Sequence, residues 1–377
     1  MRHSKATMRI SIYNLHNMCE NNTHFLSRAW QYFRINGHTV TDSRDKAELV
    51  FIGGCAVTDL MRSRCQEAIL KSMRQLRHAQ FVVFGCLAAF PEGFRSITGG
   101  DAARLHLIPS HNSRDLDELV QARIPFDRVC VNQLKGHVPY QPRMGPNDFY
   151  VMIAQGCVNE CSYCNIKKAK GHVRSRPDEA IEAEVRELYE TGVRVVTLLA
   201  DDCGSFGLDR GSNLPTLLTR LSHVAPDLQY KLYTVFPSLF LRYAAQLEPF
   251  FSQRRIPYVC LPVQSAAPRI LGLMNRHYDP DQMAEAIARL RTLDPAVFIY
   301  SHFIFNFPTE SWEEFEQSIA FARRFDHCAF IGYGDNSGTR ASSIALNSDN
   351  HALQVKARRL EELVARGGLS AFVVPCP

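Results

Sequence analysis

Long apolar runs are absent from this 377-residue chain. Nothing approaches the ~20 consecutive hydrophobic residues that cross a bilayer, so no membrane partner is expected. The basic start Met1-Arg2-His3-Ser4-Lys5 has no apolar core behind it, which argues against a secretory signal and for a cytoplasmic location. Internal repeats and low-complexity tracts are also missing, which sets repeat architectures aside. No sign of charge dominates: 43 Lys and Arg stand against 38 Asp and Glu, a net +5. That balance tolerates a polyanionic partner but falls short of a dedicated nucleic-acid-binding domain. What remains is ordinary globular composition, 46% hydrophobic and 21% charged, with length for two or three domains.

Cysteine is the departure, with 12 residues. In a reducing compartment such residues are more often metal ligands than disulfides. Three of them form Cys157-x₃-Cys161-x₂-Cys164 within Ala154-Gln155-Gly156-Cys157-Val158-Asn159-Glu160-Cys161-Ser162-Tyr163-Cys164. Three thiolates this close can hold three corners of a 4Fe–4S cluster and leave one iron open. An open metal position is where a cosubstrate binds. S-adenosylmethionine (SAM) is the expected one, chelating the open iron through its amino and carboxylate groups. An apolar strand before the loop and a helical pattern after it weigh against a chance cluster.

The chain before and after this loop reads as alternating strands and helices. From Met8 to Pro125, strands at Arg9–Tyr13, Glu48–Gly53 and Gln80–Phe84 alternate with helices around Phe25–Phe33 and Asp59–Arg77. This predicts a small doubly wound α/β domain, residues 8–125. Pro- and turn-rich residues 126–148 read as a linker. From Phe149, six strand–helix units predict a parallel (βα)₆ partial barrel over 149–342. A short helix and an apolar tail fill 343–377. Ligands in such folds sit at strand C-terminal ends, which is where the cysteine loop leaves its strand.

On these residues the chain resembles the methylthiotransferase family of radical SAM enzymes. The loop matches the radical SAM signature, Arg174-Ser175-Arg176-Pro177 is similar to the family's Ser-Arg-Pro stretch, and Leu261-Pro262-Val263-Gln264-Ser265 matches a further family motif. Phe303-Ile304-Phe305-Asn306-Phe307-Pro308-Thr309-Glu310 is similar to the strand ending Gly-Phe-Pro-Gly-Glu, with both glycines replaced. Cys19, Cys55 and Cys86 stand at the positions that in the family hold a second, auxiliary 4Fe–4S cluster. The resemblance therefore implies two 4Fe–4S clusters, SAM, and a flavodoxin- or ferredoxin-like reductase as electron donor. Gly156-Cys157-Val158-Asn159-Glu160 and Asp202-Cys203-Gly204-Ser205-Phe206-Gly207 are nearest the branch that methylthiolates threonylcarbamoyl-adenosine in tRNA.

Departures temper the branch. Met18 replaces the usual Gly before the first cysteine, and Ser337-Gly338-Thr339-Arg340 replaces Pro-Gly-Thr-Pro. Nothing up to Pro377 matches the C-terminal RNA-binding β-barrel of tRNA-modifying members. A tRNA adenosine is the first expected substrate, a small molecule or peptide the second. A third reading, clusters kept for electron transfer or sensing, is disfavoured by Leu261–Ser265, because electron carriage needs no SAM pocket.

The implied roles extend beyond the ligands. Tyr163 is expected at the adenine site, or as a loop aromatic packed on the barrel. Gly156 permits a tight turn. Asp202 faces the SAM ribose or the substrate, or is a solvated loop carboxylate. Arg174 and Arg176 pair with the SAM carboxylate, or lie on the surface. Gln264 and Ser265 are expected to face the pocket. Cys203 lies nearest that pocket among the remaining cysteines, Cys65, Cys130, Cys260, Cys328 and Cys376. His302 reads as a core histidine. The basic helix of Arg62, Arg64, Lys71, Arg74 and Arg77 reads as a solvated face.

Overall fold

A computed structural model describes residues 7–16, 19–129, 149–344 and 350–375. Cys130, Cys376, Met18 and most of the expected linker lie outside the described residues. The chain divides into two compact units, Met1–Tyr150 with Ile166–Gly171, and Val151–Asn165 with His172–Pro377.

The N-terminal unit runs β1 (Arg9–Asn14), α1 (Glu20–Ile35), β2 (Thr39–Val40), β3 (Leu49–Gly53), α2 (Asp59–Gln75), β4 (Gln80–Phe84), α3 (Gly99–Ala102), β5 (Leu105–Ile108) and α4 (Arg114–Leu119). Its sheet is parallel, in the order β2-β1-β3-β4-β5. This is a doubly wound order whose direction reverses between β1 and β3, and ligands in such sheets sit outside the strand C-termini at that point. Every residue of β3 is buried, as expected of a central parallel strand read as an apolar run. Helix α1 buries Phe25, Leu26, Ala29, Tyr32 and Phe33, and Gly37, at φ +90°, ends it.

Two outer strands escape the sequence reading. β2 has two residues, and β5 is only partly buried along Leu105–Leu107, so neither carries a strong apolar signal. The linker expectation also begins too early. Phe126 is 1% exposed, packs edge-on to Tyr32 at 5.3 Å and lies 5.0 Å from Phe84. The Asp117 carboxylate fastens this turn, accepting from Tyr32 Oη and Phe126 N, both at 2.9 Å.

The second unit contains β6 (Phe149–Met152), which begins at the unit boundary, β7 (Ala154–Gln155), β8 (Arg174–Ser175), α6 (Asp178–Glu190), β9 (Val195–Leu199), α7 (Leu214–Val224), β10 (Gln229–Leu232), α8 (Pro237–Ser252), β11 (Tyr258–Cys260), α9 (Pro268–Leu273), α10 (Pro280–Leu293), β12 (Phe298–Phe305), α11 (Trp312–Ala322), β13 (His327–Gly332), α12 (Asn350–Ala365) and β14 (Ala371–Val374). Between β7 and β8 the chain forms α5 (Ile166–Lys170), which groups with the N-terminal unit. Sheet order is sequential, β14-β13-β12-β11-β10-β9-β6, and the pairs from β9 to β14 are parallel. This is the open partial barrel expected, extended by one strand. The apolar tail, not read as a strand, pairs with the free edge of β13.

Local chemistry explains the helix starts. Asn213 and Asp279 cap α7 and α10, each with proline in the first turn, and Ser311 forms a capping box with Glu314 at α11. In β12, burial alternates residue by residue. Ser301, Phe303 and Phe305 are buried, while Tyr300, His302 and Ile304 on the other face are half-buried.

Candidate metal centres

In the N-terminal unit the three expected cysteines sit at three strand ends. Cys19 is the N-cap residue of α1, Cys55 follows β3, and Cys86 opens a short turn behind Gly85, whose φ of +92° ends β4. All three are half-buried. Burial pushes the Cys19 thiol up to about 11, with Lys170 opposing and Cys86 adding to the shift. Burial also raises Cys55, and the charges of Cys19 and Cys86 raise it further. The fold thus gathers three thiols whose ionisations oppose one another. A cationic metal centre removes that penalty, because its ligands bind as thiolates. Lys170, on α5, is 2% exposed, with Nζ 5.8 Å from the Phe25 ring centroid. Cys65 is buried in the hydrophobic core beneath them.

In the barrel unit the cysteine loop begins at Gly156, whose φ of +79° suits glycine and whose N–H donates to Asp201 Oδ2 at 2.8 Å. Cys157 Sγ receives two donors from Asn159, the backbone N at 3.4 Å and Nδ2 at 3.2 Å. Cys161 Sγ receives Arg276 Nη1 at 3.4 Å. Burial pushes the Cys157 thiol up to about 11, Asp202 raising it further and the Asn159 donors opposing. The loop is fastened from the far side of the sequence. Asn275 Nδ2 and Arg340 Nη2 donate to Glu160 O at 2.7 and 2.6 Å, and Asn336 Nδ2 donates to Tyr163 O at 2.9 Å. Ser162 N donates to Met274 O, and Ser162 O accepts from Ala341 N, both at 2.9 Å. Arg340, one of the departures from the family motif, is therefore a structural clamp.

Several expected site residues are placed differently. Asp202 is 2% exposed and spends both oxygens internally. Oδ1 accepts from Gly204 N at 2.9 Å and Phe236 N at 3.0 Å, Oδ2 from Ser205 Oγ at 2.6 Å and Asn159 Nδ2 at 3.0 Å. It orients Asn159 instead of facing a ribose. Arg176 is committed to Glu184 at 2.7 Å and Met152 O at 2.6 Å, not to a free carboxylate. Arg174 takes the surface position that was its alternative reading: it is exposed and pairs with Gln155 in the β7–β8 ribbon. Ser265 is 0% exposed and turns toward α11, its Oγ 3.3 Å from Ser318 Oγ. Its hydroxyl closes the turn by accepting from Ala267 N at 3.2 Å.

Gln264 behaves otherwise. It is held at φ +73°, an unusual conformation for a non-glycine residue. His302 O accepts from its N at 2.8 Å, and its own O accepts from Ile304 N at 2.9 Å. Its buried Oε1 has no partner among the described residues. Tyr163 lies 6.4 Å from Phe307, edge to face, with Oη 3.5 Å from Arg276 Nη1. Cys203 is 0% exposed, donates to Leu198 O at 3.3 Å and is pushed up to about 12 by burial, which makes it a core thiol. Cys260 and Cys328 are likewise core. His302 sits on the half-buried face of β12, and burial, followed by Arg276, pushes it down to about 4.

Residues 151–322 match the Radical SAM superfamily, and residues 13–95 match the family described as uncharacterized protein family UPF0004. Ribosomal protein uS12 methylthiotransferase RimO of Shewanella sp. strain MR-4 is 27% identical over 344 residues, 87% of this chain and 70% of that protein. RimO of Shewanella sp. strain W3-18-1 is 27% identical over 364 residues, 92% of this chain and 75% of that protein. The chain belongs to the methylthiotransferase family of radical SAM enzymes.

As a radical SAM methylthiotransferase-family enzyme it has SAM and iron–sulfur clusters as cofactors and needs an electron donor. The fold agrees with solved radical SAM structures. The methyltransferase TsrM from Kitasatospora setae superposes with a TM-score of 0.59 at 14% identity, covering 87% of this chain and 75% of that one. OxsB superposes at 0.55 with 10% identity, covering 94% and 62%.

The residues present fit these cofactors. Each unit offers three thiols on its own loops, a donor set suited to the separate irons of a cluster. Among the described residues, no three His, Cys, Asp or Glu side chains close round a single ion. In the barrel unit the buried atoms Gln264 Oε1 and Arg276 Nε have no partner among the described residues, as expected where a polar ligand completes the bonding. A cavity of about 420 Å³ lined by Arg194, Asp227, Gln229, Arg254 and Arg255 lies instead near the N-terminal ends of β9 and β10, away from the cysteine loop. That face of a barrel serves stability.

Sequence reasoning missed Arg276, Asn159, Asn275 and Asn336. Asn159 lies inside the quoted motif, but its role depends on Asp202. The others act across more than a hundred residues of chain, and no local pattern announces them.

Proposed function

We propose that this protein is a radical SAM methylthiotransferase that replaces hydrogen by a methylthio group at an unactivated C–H bond of a protein side chain. The observation that carries the reading is the gathering of Cys19, Cys55 and Cys86 at three neighbouring strand ends of the N-terminal unit. In the methylthiotransferase family the thiols at these positions hold the auxiliary cluster that supplies or carries the inserted sulfur. The protein-substrate reading is supported by the relatives, which are named for a ribosomal protein. The tRNA adenosine expected from the loop motifs has no support among them. The departures in those motifs leave the substrate surface free to differ.

Cys157, Cys161 and Cys164 would hold one cluster, and Cys19, Cys55 and Cys86 the other. Bound there with SAM, the clusters supply the electron that splits a C–S bond, the radical that takes hydrogen from carbon, and the sulfur that replaces it. The chain's own residues do the positioning. Asn159 directs two N–H groups at Cys157, held by Asp202. Gln264 presents an unmatched acceptor to SAM or substrate. The clamps from Asn275, Asn336 and Arg340 keep the loop at the strand ends. A low-potential flavodoxin- or ferredoxin-like protein in a reducing cytoplasm suits the electron supply.

The test is anaerobic turnover of the cluster-loaded protein with SAM, a reductant and purified ribosomes, followed by intact-mass spectrometry of the ribosomal proteins. A gain of one CH₂S unit on a single protein is the expected result. Unchanged ribosomal proteins beside a methylthiolated nucleoside in digested tRNA would return the substrate to RNA. Neither product, with SAM still cleaved, would point to a small molecule.

A further inference from the structure

Arg276 is 3% exposed, and its partners are unusual for a buried guanidinium. Nη1 reaches Cys161 Sγ at 3.4 Å and Tyr163 Oη at 3.5 Å. Nη2 donates to Pro262 O. The guanidinium carbon stacks 4.0 Å over the Phe236 ring, and Nε has no partner. None of these partners is a carboxylate. The nearby carboxylate of Asp202 is already occupied by four donors.

A buried cation needs a negative charge close by. Arginine stays protonated at any working pH, and a phenol is neutral there. Two anions lie in reach among the described residues: the Asp202 carboxylate, which feels the charge but already holds four donors, and the Cys161 sulfur, as a thiolate ligand the one that Arg276 touches. We infer that Arg276 is a positioning residue for the barrel cluster: a fixed counter-charge and sulfur hydrogen-bond donor that sets how readily the cluster accepts its electron. This rests on the reading of Cys157, Cys161 and Cys164 as cluster ligands.

Physical chemistry fixes the sign. Reduction adds one negative charge to the cluster. A cation touching a ligand sulfur stabilises the reduced form more than the oxidised one, and net charge and sulfur hydrogen bonds are both known levers on cluster potential. Arg276 also joins two parts of the site. Its Nη1 lies between Cys161 and Tyr163, so the charge and the ring position are coupled.

The experiment uses the full chain with Cys19, Cys55 and Cys86 replaced by Ala, so that only the barrel cluster is observed. Iron and sulfide per chain are measured first, then the cluster is titrated by EPR at controlled potentials. With Arg276→Gln, cluster content is expected to hold while the reduced-to-oxidised ratio at a fixed potential falls about tenfold, a shift of about 59 mV to more negative values for one electron. Arg276→Lys, which keeps the charge but not the planar fork, should fall between. A full cluster with an unmoved midpoint in Arg276→Gln overturns the inference. If Arg276→Gln loses the cluster, Arg276→Lys must keep it with a midpoint moved to more negative values; an unmoved midpoint there, or loss of the cluster in both, makes Arg276 a packing residue and overturns the inference. A parent protein with no cluster at all refutes the ligand reading itself, and this inference with it.

Discussion

Asn159 Nδ2 lies 3.2 Å from Cys157 Sγ and 3.0 Å from Asp202 Oδ2. One amide thus ties a candidate cluster ligand to a buried carboxylate that lies 43 positions beyond Asn159 itself. Hydrogen bonds to charged acceptors contribute about 1.5–3 kcal/mol each. Asn159→Ala removes one of two donors to the sulfur and leaves the backbone donor. The expected outcome is a protein that still assembles the cluster but releases iron to a chelator several-fold faster. Equal release rates in the two proteins would make Asn159 a bystander.

The two cysteine sets should separate two activities. Replacing Cys157, Cys161 and Cys164 with Ala should abolish formation of 5′-deoxyadenosine from SAM while iron remains bound. Replacing Cys19, Cys55 and Cys86 should preserve that cleavage and stop sulfur transfer. Iron content that does not drop in the second variant would remove the auxiliary cluster from the scheme.

Gln264 offers a test in which stability and function move apart. Its φ of +73° costs a non-glycine residue on the order of 1 kcal/mol, and glycine has no such penalty. Gln264→Gly should therefore raise the unfolding free energy by about a few tenths of a kcal/mol, the relief of strain exceeding the entropy that glycine adds to the unfolded chain. Calorimetry and equilibrium SAM binding on the same samples check it. The expected pair is a higher melting temperature with weaker SAM binding. A gain in stability without loss of binding would leave the unpartnered Oε1 unexplained.

The pH dependence of stability should carry a signature of His302. Burial and Arg276 push its pKa down from 6.5 to about 4. Between those values the unfolded chain holds more protons than the folded one, so stability is present above pH 6.5 and is lost as pH falls toward 4. The slope is about 1.4 kcal/mol per pH unit at most. His302→Gln should flatten the fall in unfolding free energy between pH 6.5 and 5. Identical slopes for the two proteins would mean that the ring is solvated.

Much of the fold was legible because its signals are local. β3, β4 and most barrel strands are buried parallel strands and appear as apolar runs; the helices between them start at Asn213, Asp279 and Ser311, residues that cap by their own chemistry. β14 was not legible, since four residues of apolar tail become a strand only when β13 offers an unpaired edge. Phe126 looked like linker for the same reason: its value lies in Tyr32 and Phe84, both far away in sequence. Ser265, Arg176 and Asp202 were assigned to the pocket on motif and position, but each is consumed by a partner that the motif does not contain.

The amino-acid order alone marked the candidate thiols and where along each strand they occur, because cysteine is a metal-ligating residue type and strand ends follow from periodicity. Tertiary structure decided which polar groups remain available. A buried carboxylate, hydroxyl or guanidinium must be bonded to something, and its partners come from distant segments. Both oxygens of Asp202 are committed and Nη1 of Arg176 is held by Glu184, whereas, among the described residues, Gln264 Oε1 and Arg276 Nε are left over. Arg276 reaches Cys161 across 115 residues, a contact that no local pattern encodes and that only the folded barrel creates.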